Sequence, residues 1–182
     1  MPDPLFVAFV PGVTPGKWER VWRERRPIGR LELVPLPQSA AFAALHDGTA
    51  HMAILRDTPA TDDLNAIELY REQPVVVAPK GSLVASLDVV DLADLADENV
   101  LPVDLLTGSG EDAVDLVAAN VGVAVMPQSV ARMLSRKDVV ARPLRDAPET
   151  AISLVWPKDG AHPLCDVFVG IVRGRTANSS RG

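Results

Sequence analysis

Short apolar runs alternate with amphipathic segments in the first third of the chain. The run at residues 5–10 is almost wholly apolar and has the length of a strand that is covered on both faces. Residues 31–34 and 51–55 have the same character and predict a second and a third strand. Strands that alternate with helices are typical of a doubly wound unit, so this pattern predicts the α/β fold class.

Residues 11–24 predict a turn followed by a helix. Pro11 and Gly12 favour the turn, Thr14 is the expected N-cap, and Pro15 stands where a first helical residue belongs. Beyond them, apolar side chains recur at helical spacing and predict one buried stripe, formed by Trp18, Val21 and Trp22. The helix is therefore expected to pack on one face, and the charged residues left for solvent are Lys17, Glu19, Arg20, Arg23 and Glu24.

A second helix is predicted between the second and third strands. Ser39 is the expected N-cap, and Gly48 is placed to end the helix in the left-handed conformation. The apolar residues expected on its buried side are Ala41, Phe42 and Leu45. The first third of the chain is therefore predicted as strand, helix, strand, helix, strand.

The remainder of the chain continues the pattern less regularly. Further strands or extended segments are expected at 67–70, 74–79, 121–127, 139–140 and 152–156, and helices at 91–96, 128–135 and 163–173. Residues 109–112 resemble a capping box, opened by Ser109, for a helix with a buried side made of Val114, Val117 and Ala118. Residues 99–110 carry little periodic signal, so no element is predicted there.

Length and composition allow either one ordinary domain or two small lobes. The chain has 182 residues, of which 47% are hydrophobic, enough for a packed core. It has no apolar run near the roughly 20 residues that span a bilayer and no secretory signal at its N-terminus. A single cysteine, Cys165, permits no internal disulfide. We therefore predict a cytoplasmic protein with no membrane partner.

Net charge argues against a protein that coats nucleic acid. The chain carries 18 basic and 24 acidic residues, a net charge of −6, and its isoelectric point is near 5.0. The segment 174–182 has almost nothing to bury and is predicted to be a disordered basic tail. Any residual, nonspecific DNA binding is expected to come from the arginines at this end, namely Arg173, Arg175 and Arg181.

Residues with catalytic or metal-binding chemistry are sparse. His46 and His51 fall on different predicted elements, while His162 and Cys165 form an isolated pair without two further ligands at recognisable spacing. Ser109 lies in Gly-Ser-Gly but lacks the pattern and the leading strand of a nucleophile elbow. Because no base, nucleophile and orienting group share a recognisable arrangement, we predict neither an enzyme nor a metal site.

The loops that lead from a strand into a helix are the remaining candidates for a binding site. Helix N-termini present backbone N–H groups that attract carboxylates and other small anions. In open α/β sheets, ligands also collect at the carboxyl ends of the strands. The loop at 11–15 and the turn at 127–129 meet both conditions, although plain turn chemistry explains them equally well.

Six segments occur in an order that resembles a known family. They lie at 6–12, 31–34, 45–55, 69–80, 91–98 and 117–130, the last being the most specific. Taken in this order, they make the chain resemble the effector-binding (substrate-binding) domain of LysR-type transcriptional regulators. The likeness is greatest to short actinobacterial members that end in an arginine-rich tail and lack the winged helix-turn-helix.

The resemblance implies a type II periplasmic-binding-protein-like fold, an α/β fold with two lobes and mixed, mostly parallel sheets. Lobe one would comprise residues 1–76 and 150–173, and lobe two residues 77–149. The second lobe is expected to be shortened, because residues 99–113 stand where typical members have a longer stretch.

The implied function is non-catalytic binding of a small organic effector in connection with transcription regulation. The expected effector is an organic acid, an amino acid or an aromatic metabolite, and no cofactor is needed. Arg56 is expected to supply positive charge for a carboxylate. The positions that match the family's ligand-binding loops are Gly12, Val13, Thr14, Arg56, Val77, Ala78, Pro127 and Gln128.

A second hypothesis is an interaction module that pairs with a full-length LysR-type regulator or with itself. Only residues 1–4 precede the first strand, so the winged helix-turn-helix is expected to be missing and specific DNA binding by this chain alone is not expected. The helix face with Trp18 and Trp22 is the candidate surface for a partner, although the core is the commoner place for tryptophan.

Overall fold

A computed structural model describes residues 3–25 and 29–174 of the chain. The predicted disordered tail, with Arg175 and Arg181, lies outside the described residues apart from residue 174. The chain divides into two compact units, one made of the described residues up to Tyr70 together with those from Ile152 onward, and one made of Arg71–Ala151. The resemblance had placed the two boundaries at residues 76 and 150.

The first unit contains a five-stranded sheet flanked by helices. Its strand order is β2-β1-β3-β9-β4, with β1 parallel to both β2 and β3, and with β3 antiparallel to β9. The elements are β1 Leu5–Phe9, α1 Gly16–Arg25, β2 Leu31–Pro35, α2 Gln38–His46, β3 Met52–Arg56, β4 Leu64–Glu72, β9 Thr150–Pro157 and α6 Cys165–Val172.

One hydrophobic cluster holds the first unit together. Phe168 of α6 is its largest fully buried side chain, and its ring lies 6.2 Å from the ring of Trp22 in α1. Trp18 and Trp22 are both buried in this cluster, as the helical spacing predicts. The tryptophan face of α1 is therefore part of the core, and its interpretation as a surface for a partner was wrong.

The starts of α1 and α2 differ from the prediction. Pro15 stands before α1, and its carbonyl accepts the first helical hydrogen bond, from the Trp18 N–H at 2.9 Å, so Thr14 lies one residue too early to be the N-cap. In α2 the N-cap is Pro37, and Ser39 is inside the helix. Phe42 is exposed rather than buried, and its ring contacts that of His46 on the outer face.

The second unit contains a four-stranded sheet in the order β6-β7-β5-β8. β6 is parallel to β7, whereas β5 is antiparallel to both β7 and β8. The remaining elements are β5 Pro74–Pro79, α3 Leu83–Ser86, a 3-10 turn at Leu92–Leu95, β6 Val100–Leu101, α4 Glu111–Ala118, β7 Val123–Pro127, α5 Gln128–Met133 and β8 Val139–Pro143. The mixed sheets are confirmed, but in this unit antiparallel pairings outnumber parallel ones.

Two hydrophobic clusters cover the two faces of this second sheet. Val75 and Val77 of β5 point into one cluster, and Val76 and Ala78 point into the other. A strand that is covered on both faces is apolar throughout, whichever way its neighbours run. The apolar run therefore predicts burial correctly and carries no information on strand direction, which explains why the expectation of mostly parallel sheets fails here.

The predicted capping box at the start of α4 is not formed. Gly110 occupies the N-cap with φ of +82°, and no side chain caps the helix. A Cβ at Gly110 would lie 3.2 Å from Val103 and 3.3 Å from Leu105, so this left-handed turn is also tightly packed. The helix therefore begins where glycine permits a close turn, and Ser109 does not start it.

Candidate functional site

The loop between β1 and α1 is a short, well-defined turn. The Val13 N–H donates to the Val10 carbonyl at 3.2 Å, with Pro11 second and Gly12 third at φ of +88°. This sequence and geometry are those of a type II turn, which requires positive φ at its third residue. Val13 is buried and anchors the loop, so Thr14 is presented at the surface directly before α1.

Three segments of the first unit meet at the carboxyl ends of its parallel strands. The Val10 N–H donates to the Ile54 carbonyl at 3.2 Å, which joins the β1 loop to the end of β3. The Leu36 N–H donates to the Phe9 carbonyl at 3.0 Å, which joins the segment before α2 to the end of β1. Both α1 and α2 begin at this edge, where the first N–H groups of a helix have no partner within the helix. We call the loop after β1, the end of β3 and the segment before α2, taken together, the first-unit edge.

Arg56 is the last residue of β3 and brings a buried positive charge to the first-unit edge. Its side chain is only 8% exposed, and its backbone is held by the side chain of Gln38, the first residue of α2. The Gln38 amide donates from Nε2 to the Arg56 carbonyl at 2.7 Å and accepts at Oε1 from the Arg56 N–H at 3.0 Å. The Thr58 hydroxyl also donates to the Arg56 carbonyl. These three hydrogen bonds fix the point from which the guanidinium extends.

Lys17 adds a second cation close to the start of α1. Its Nζ lies 4.7 Å from the ring centre of Trp18 and 6.0 Å from that of Tyr70. Glu19 in the same turn carries the opposite charge.

The sequence pattern predicted neither the role of Gln38 nor the contacts of Lys17. An amide side chain at the start of a helix that follows a parallel strand was the available signal for Gln38. Lys17 was assigned to solvent, and although it is exposed, its contact with Tyr70 joins residues far apart in the sequence. Such a contact follows from the order of the strands and has no local signature.

Pro127 and Gln128 lie together at the end of β7 in the second unit. Pro127 is buried and pairs with Pro74 at the beginning of β5. The Gln128 N–H donates to the Gln73 carbonyl at 3.0 Å, so this backbone donor is already used, while the Gln128 side chain is exposed. The Gln128 amide is therefore an exposed polar side chain at this turn.

Val77 and Ala78 lie apart from that turn. Because β5 runs antiparallel to β7, its beginning meets Pro127, whereas Val77 pairs with Ala124. Three residues of strand separate the two pairs, about 10 Å along the sheet. Both side chains are buried in the hydrophobic clusters of the second unit. The structure thus brings together Gly12–Thr14 and Arg56, and separately Pro127 and Gln128, but not Val77 and Ala78 with either turn.

Reactive side chains do not assemble into a metal or nucleophile site in the part of the chain that the structure describes. Residues 3–25 and 29–174 contain no group of three or more His, Cys, Asp or Glu that could hold a metal ion. Burial raises the pKa of the Cys165 thiol to about 11, so the thiol stays protonated at neutral pH. No helix among these residues has both the length and the apolar character of a membrane span.

Comparison with protein families identifies the kind of domain. The family model of the LysR substrate binding domain matches residues 17–104 and 101–177, which together cover most of the chain. The chain belongs to this family. It is thus homologous to the effector-binding domains of transcription regulators. Comparison with curated proteins gives no match.

Solved structures of LysR-type proteins share the fold. The BenM effector binding domain with its effector benzoate is 18% identical, with a TM-score of 0.76 over 94% of this chain and 91% of that chain. The OxyR regulatory domain of Pseudomonas aeruginosa is 17% identical, with a TM-score of 0.75 over 95% of this chain and 97% of that chain. Full-length CbnR in complex with its target DNA is 18% identical, with a TM-score of 0.72 over 94% of this chain and 70% of that chain. The α/β architecture and the mixed sheets of both units are therefore those of the LysR substrate-binding domain fold.

Proposed function

We propose that this LysR substrate-binding domain binds a small organic anion as its effector and carries out no catalysis. The observation that carries the proposal is the buried Arg56 at the first-unit edge, with its backbone fixed by Gln38, beside the starts of two helices. A buried guanidinium and helix N-termini both favour a carboxylate. Organic acids, amino acids and aromatic acids share this group.

The proposed ligand contacts centre on the first-unit edge. Gly12 and Val13 supply the rigid turn, Thr14 supplies an exposed hydroxyl, and Arg56 supplies charge. Pro127 and the exposed amide of Gln128 are proposed as a separate ligand contact within the second unit. Val77 and Ala78 are left out, because their side chains are packed in the core.

Two comparisons support a regulatory role. The matched BenM domain was solved with benzoate as its effector, and CbnR was solved on its target DNA. A net charge of −6 argues against contact with DNA phosphates by this domain. We therefore propose that ligand binding here serves transcription regulation. The interaction-module hypothesis has lost its candidate surface, because Trp18 and Trp22 are buried.

Calorimetry and thermal unfolding with benzoate and a panel of carboxylates test the proposal. A ligand that binds only the folded chain stabilises it by about 2.7 kcal/mol at a hundredfold excess over its Kd, and raises Tm accordingly. Arg56→Met should abolish the Tm increase, Arg56→Lys should retain part of it, and Arg20→Met, at an exposed arginine, should leave it intact. If no organic acid, amino acid or aromatic metabolite raises Tm, the proposal fails.

A further inference from the structure

Two histidines stack against each other in the first unit, away from the first-unit edge. The ring centres of His51 and His162 are 4.4 Å apart, with planes inclined by 37°. His51 directly precedes β3, at the amino end of that strand, and His162 lies in the segment that leads into α6. The ring of Phe6 in β1 lies 5.8 Å from His51 on the sheet side.

Each imidazole accepts a hydrogen bond from the backbone through Nδ1. The Phe6 N–H donates to His51 Nδ1 at 3.0 Å, and the His51 N–H returns a bond to the Phe6 carbonyl at 2.9 Å. The Leu164 N–H donates to His162 Nδ1 at 3.2 Å, and the Cys165 N–H donates to the His162 carbonyl at 2.9 Å. One histidine thus extends the pairing of β1 with β3, and the other holds the start of α6.

A nitrogen that accepts a hydrogen bond cannot carry a proton, so both rings are neutral with the proton on Nε2. Protonation of either ring converts Nδ1 into a donor that faces a backbone N–H. Two positive rings at this separation also repel each other. Both effects act in the same direction and open the contact as the pH falls.

The groups around the two histidines also favour opening of the contact as the pH falls. Burial and the neighbouring His162 lower the pKa of His51 from its usual 6.5, and Asp3 opposes them more weakly. On the α6 side, Cys165 is a neutral thiol, and Asp166 is the acidic residue of the first helical turn. Because the folded chain binds this proton less readily than the unfolded chain, the stability that neutral His51 contributes is full above pH 6.5 and is lost as the pH falls from there through the lowered pKa.

We propose that His51 and His162 form a proton-sensitive latch, which ties the segment before α6 to the β1–β3 pair at neutral pH and releases it in mild acid. The same geometry argues against a metal held by the two Nε2 atoms. A neutral imidazole that binds metal through Nε2 carries its proton on Nδ1, and both backbone hydrogen bonds would then be lost.

Amide hydrogen exchange, corrected for the intrinsic rate, tests the latch at the Phe6 and Leu164 N–H groups. In the unmodified chain, protection of both should be lost between about pH 7.5 and pH 5, because protonation of the rings removes the Nδ1 acceptors of these N–H groups. In the double variant with His51→Asn and His162→Asn, amide oxygens can accept the same bonds at every pH, so this dependence should vanish. His46→Asn, at a histidine on the exposed face of α2, should retain it.

The 15N shifts of the two imidazoles give a second measurement on the unmodified chain, which is independent of whether the double variant folds. At pH 7.5 both Nδ1 atoms should show the shift of an unprotonated nitrogen, and His51 should titrate below 6.5. A proton on Nδ1 of either ring at neutral pH would overturn the proposal. So would a loss of protection at Phe6 and Leu164 that is the same in the double variant.

Discussion

Two helices of this protein begin with the same dipeptide, proline followed by glutamine, but the two glutamines act differently. At α2, Pro37 is the N-cap and the Gln38 side chain holds both backbone groups of Arg56. At α5, Pro127 is the N-cap, and the backbone N–H of Gln128 bonds to Gln73 while its side chain is exposed. The two prolines have nearly the same backbone angles, with φ of −56° and −60°.

The difference comes from the strands that surround each helix start. In the first unit, β3 runs parallel to β1, so its last residue arrives beside the start of α2. In the second unit, β5 runs antiparallel to β7, so its beginning arrives beside the start of α5. A local sequence therefore specifies how a helix begins, whereas the direction of the neighbouring strand decides which atoms it meets.

The largest expected effect on the free energy of unfolding comes from the hydrophobic core of the first unit. Phe168→Ala removes the largest fully buried side chain and should lower the free energy of unfolding by about 3–5 kcal/mol. Phe42→Ala, at an exposed phenylalanine of the same unit, should cost less than about 1 kcal/mol. Urea unfolding followed by tryptophan fluorescence measures both, since Trp22 lies against Phe168. Equal losses would contradict the single-core description of this unit.

The two units also differ in how tightly their glycine turns are packed. Gly48→Ala should cost about 1–2 kcal/mol, because φ is +79° but nothing lies within 4 Å of the added Cβ. Gly110→Ala carries a similar cost at φ of +82°, plus about 1–3 kcal/mol for crowding against Val103 and Leu105. Thermal unfolding of the two variants should rank Gly110→Ala as the less stable. The reverse order would show that the second unit relaxes around the new methyl group.

A third experiment compares the contributions of the two glutamine side chains to stability. Gln38→Leu leaves the Arg56 N–H without its side-chain acceptor and the Arg56 carbonyl with only the Thr58 hydroxyl, and it should cost about 1–3 kcal/mol. Gln128→Leu retains the backbone bond to Gln73 and should change stability by no more than about 0.5 kcal/mol. Chemical denaturation of the two variants measures the difference. Similar costs would mean that the Gln38 side chain contributes nothing beyond an exposed surface residue.

The smallest expected effect is the acid sensitivity of one exposed turn in each unit. The Thr49 hydroxyl and N–H lower the pKa of Asp47 from 3.8, and the Thr107 hydroxyl and N–H lower that of Asp104 in the same way. Each carboxylate therefore stabilises the folded chain fully above about pH 4, and this contribution is lost as the pH falls through the lowered pKa. Denaturation midpoints of Asp47→Asn and Asp104→Asn should approach that of the unmodified chain near pH 2.5. A difference in midpoint that persists near pH 2.5 would mean that ionisation of the carboxylate is not the source of the stabilisation.

Most strands and helices were predictable, because apolar runs and helical spacing record burial. The stripe of Trp18, Val21 and Trp22 and the left-handed Gly48 are examples, and both are confirmed. Helix starts were predicted less well, because at α2 and α4 the N-cap is a proline or glycine without a side-chain hydrogen bond, and the nearby Ser39 and Ser109 were misleading.

The candidate site residues were proposed on two different grounds. The 11–15 loop and the 127–129 turn follow from the carboxyl-end rule, and Arg56 came from the family resemblance. The place of Val77 and Ala78 depends on the direction of β5, which an apolar run does not contain. Gln38 could be suspected from its place at a helix start, but its partner is fixed only by the packing of α2 against β3.

The position of β9 between β3 and β4 has a consequence for synthesis on the ribosome. Both neighbours leave the ribosome before residues 73–149, yet the strand that joins them follows that segment. At roughly 5–20 residues per second the delay is on the order of ten seconds, during which β3 and β4 each carry an unsatisfied edge. A nascent chain or truncated product that stops before residue 150 therefore exposes the unpaired edges of β3 and β4, which can pair with other chains. Such a product should depend on chaperones more than the complete first unit does.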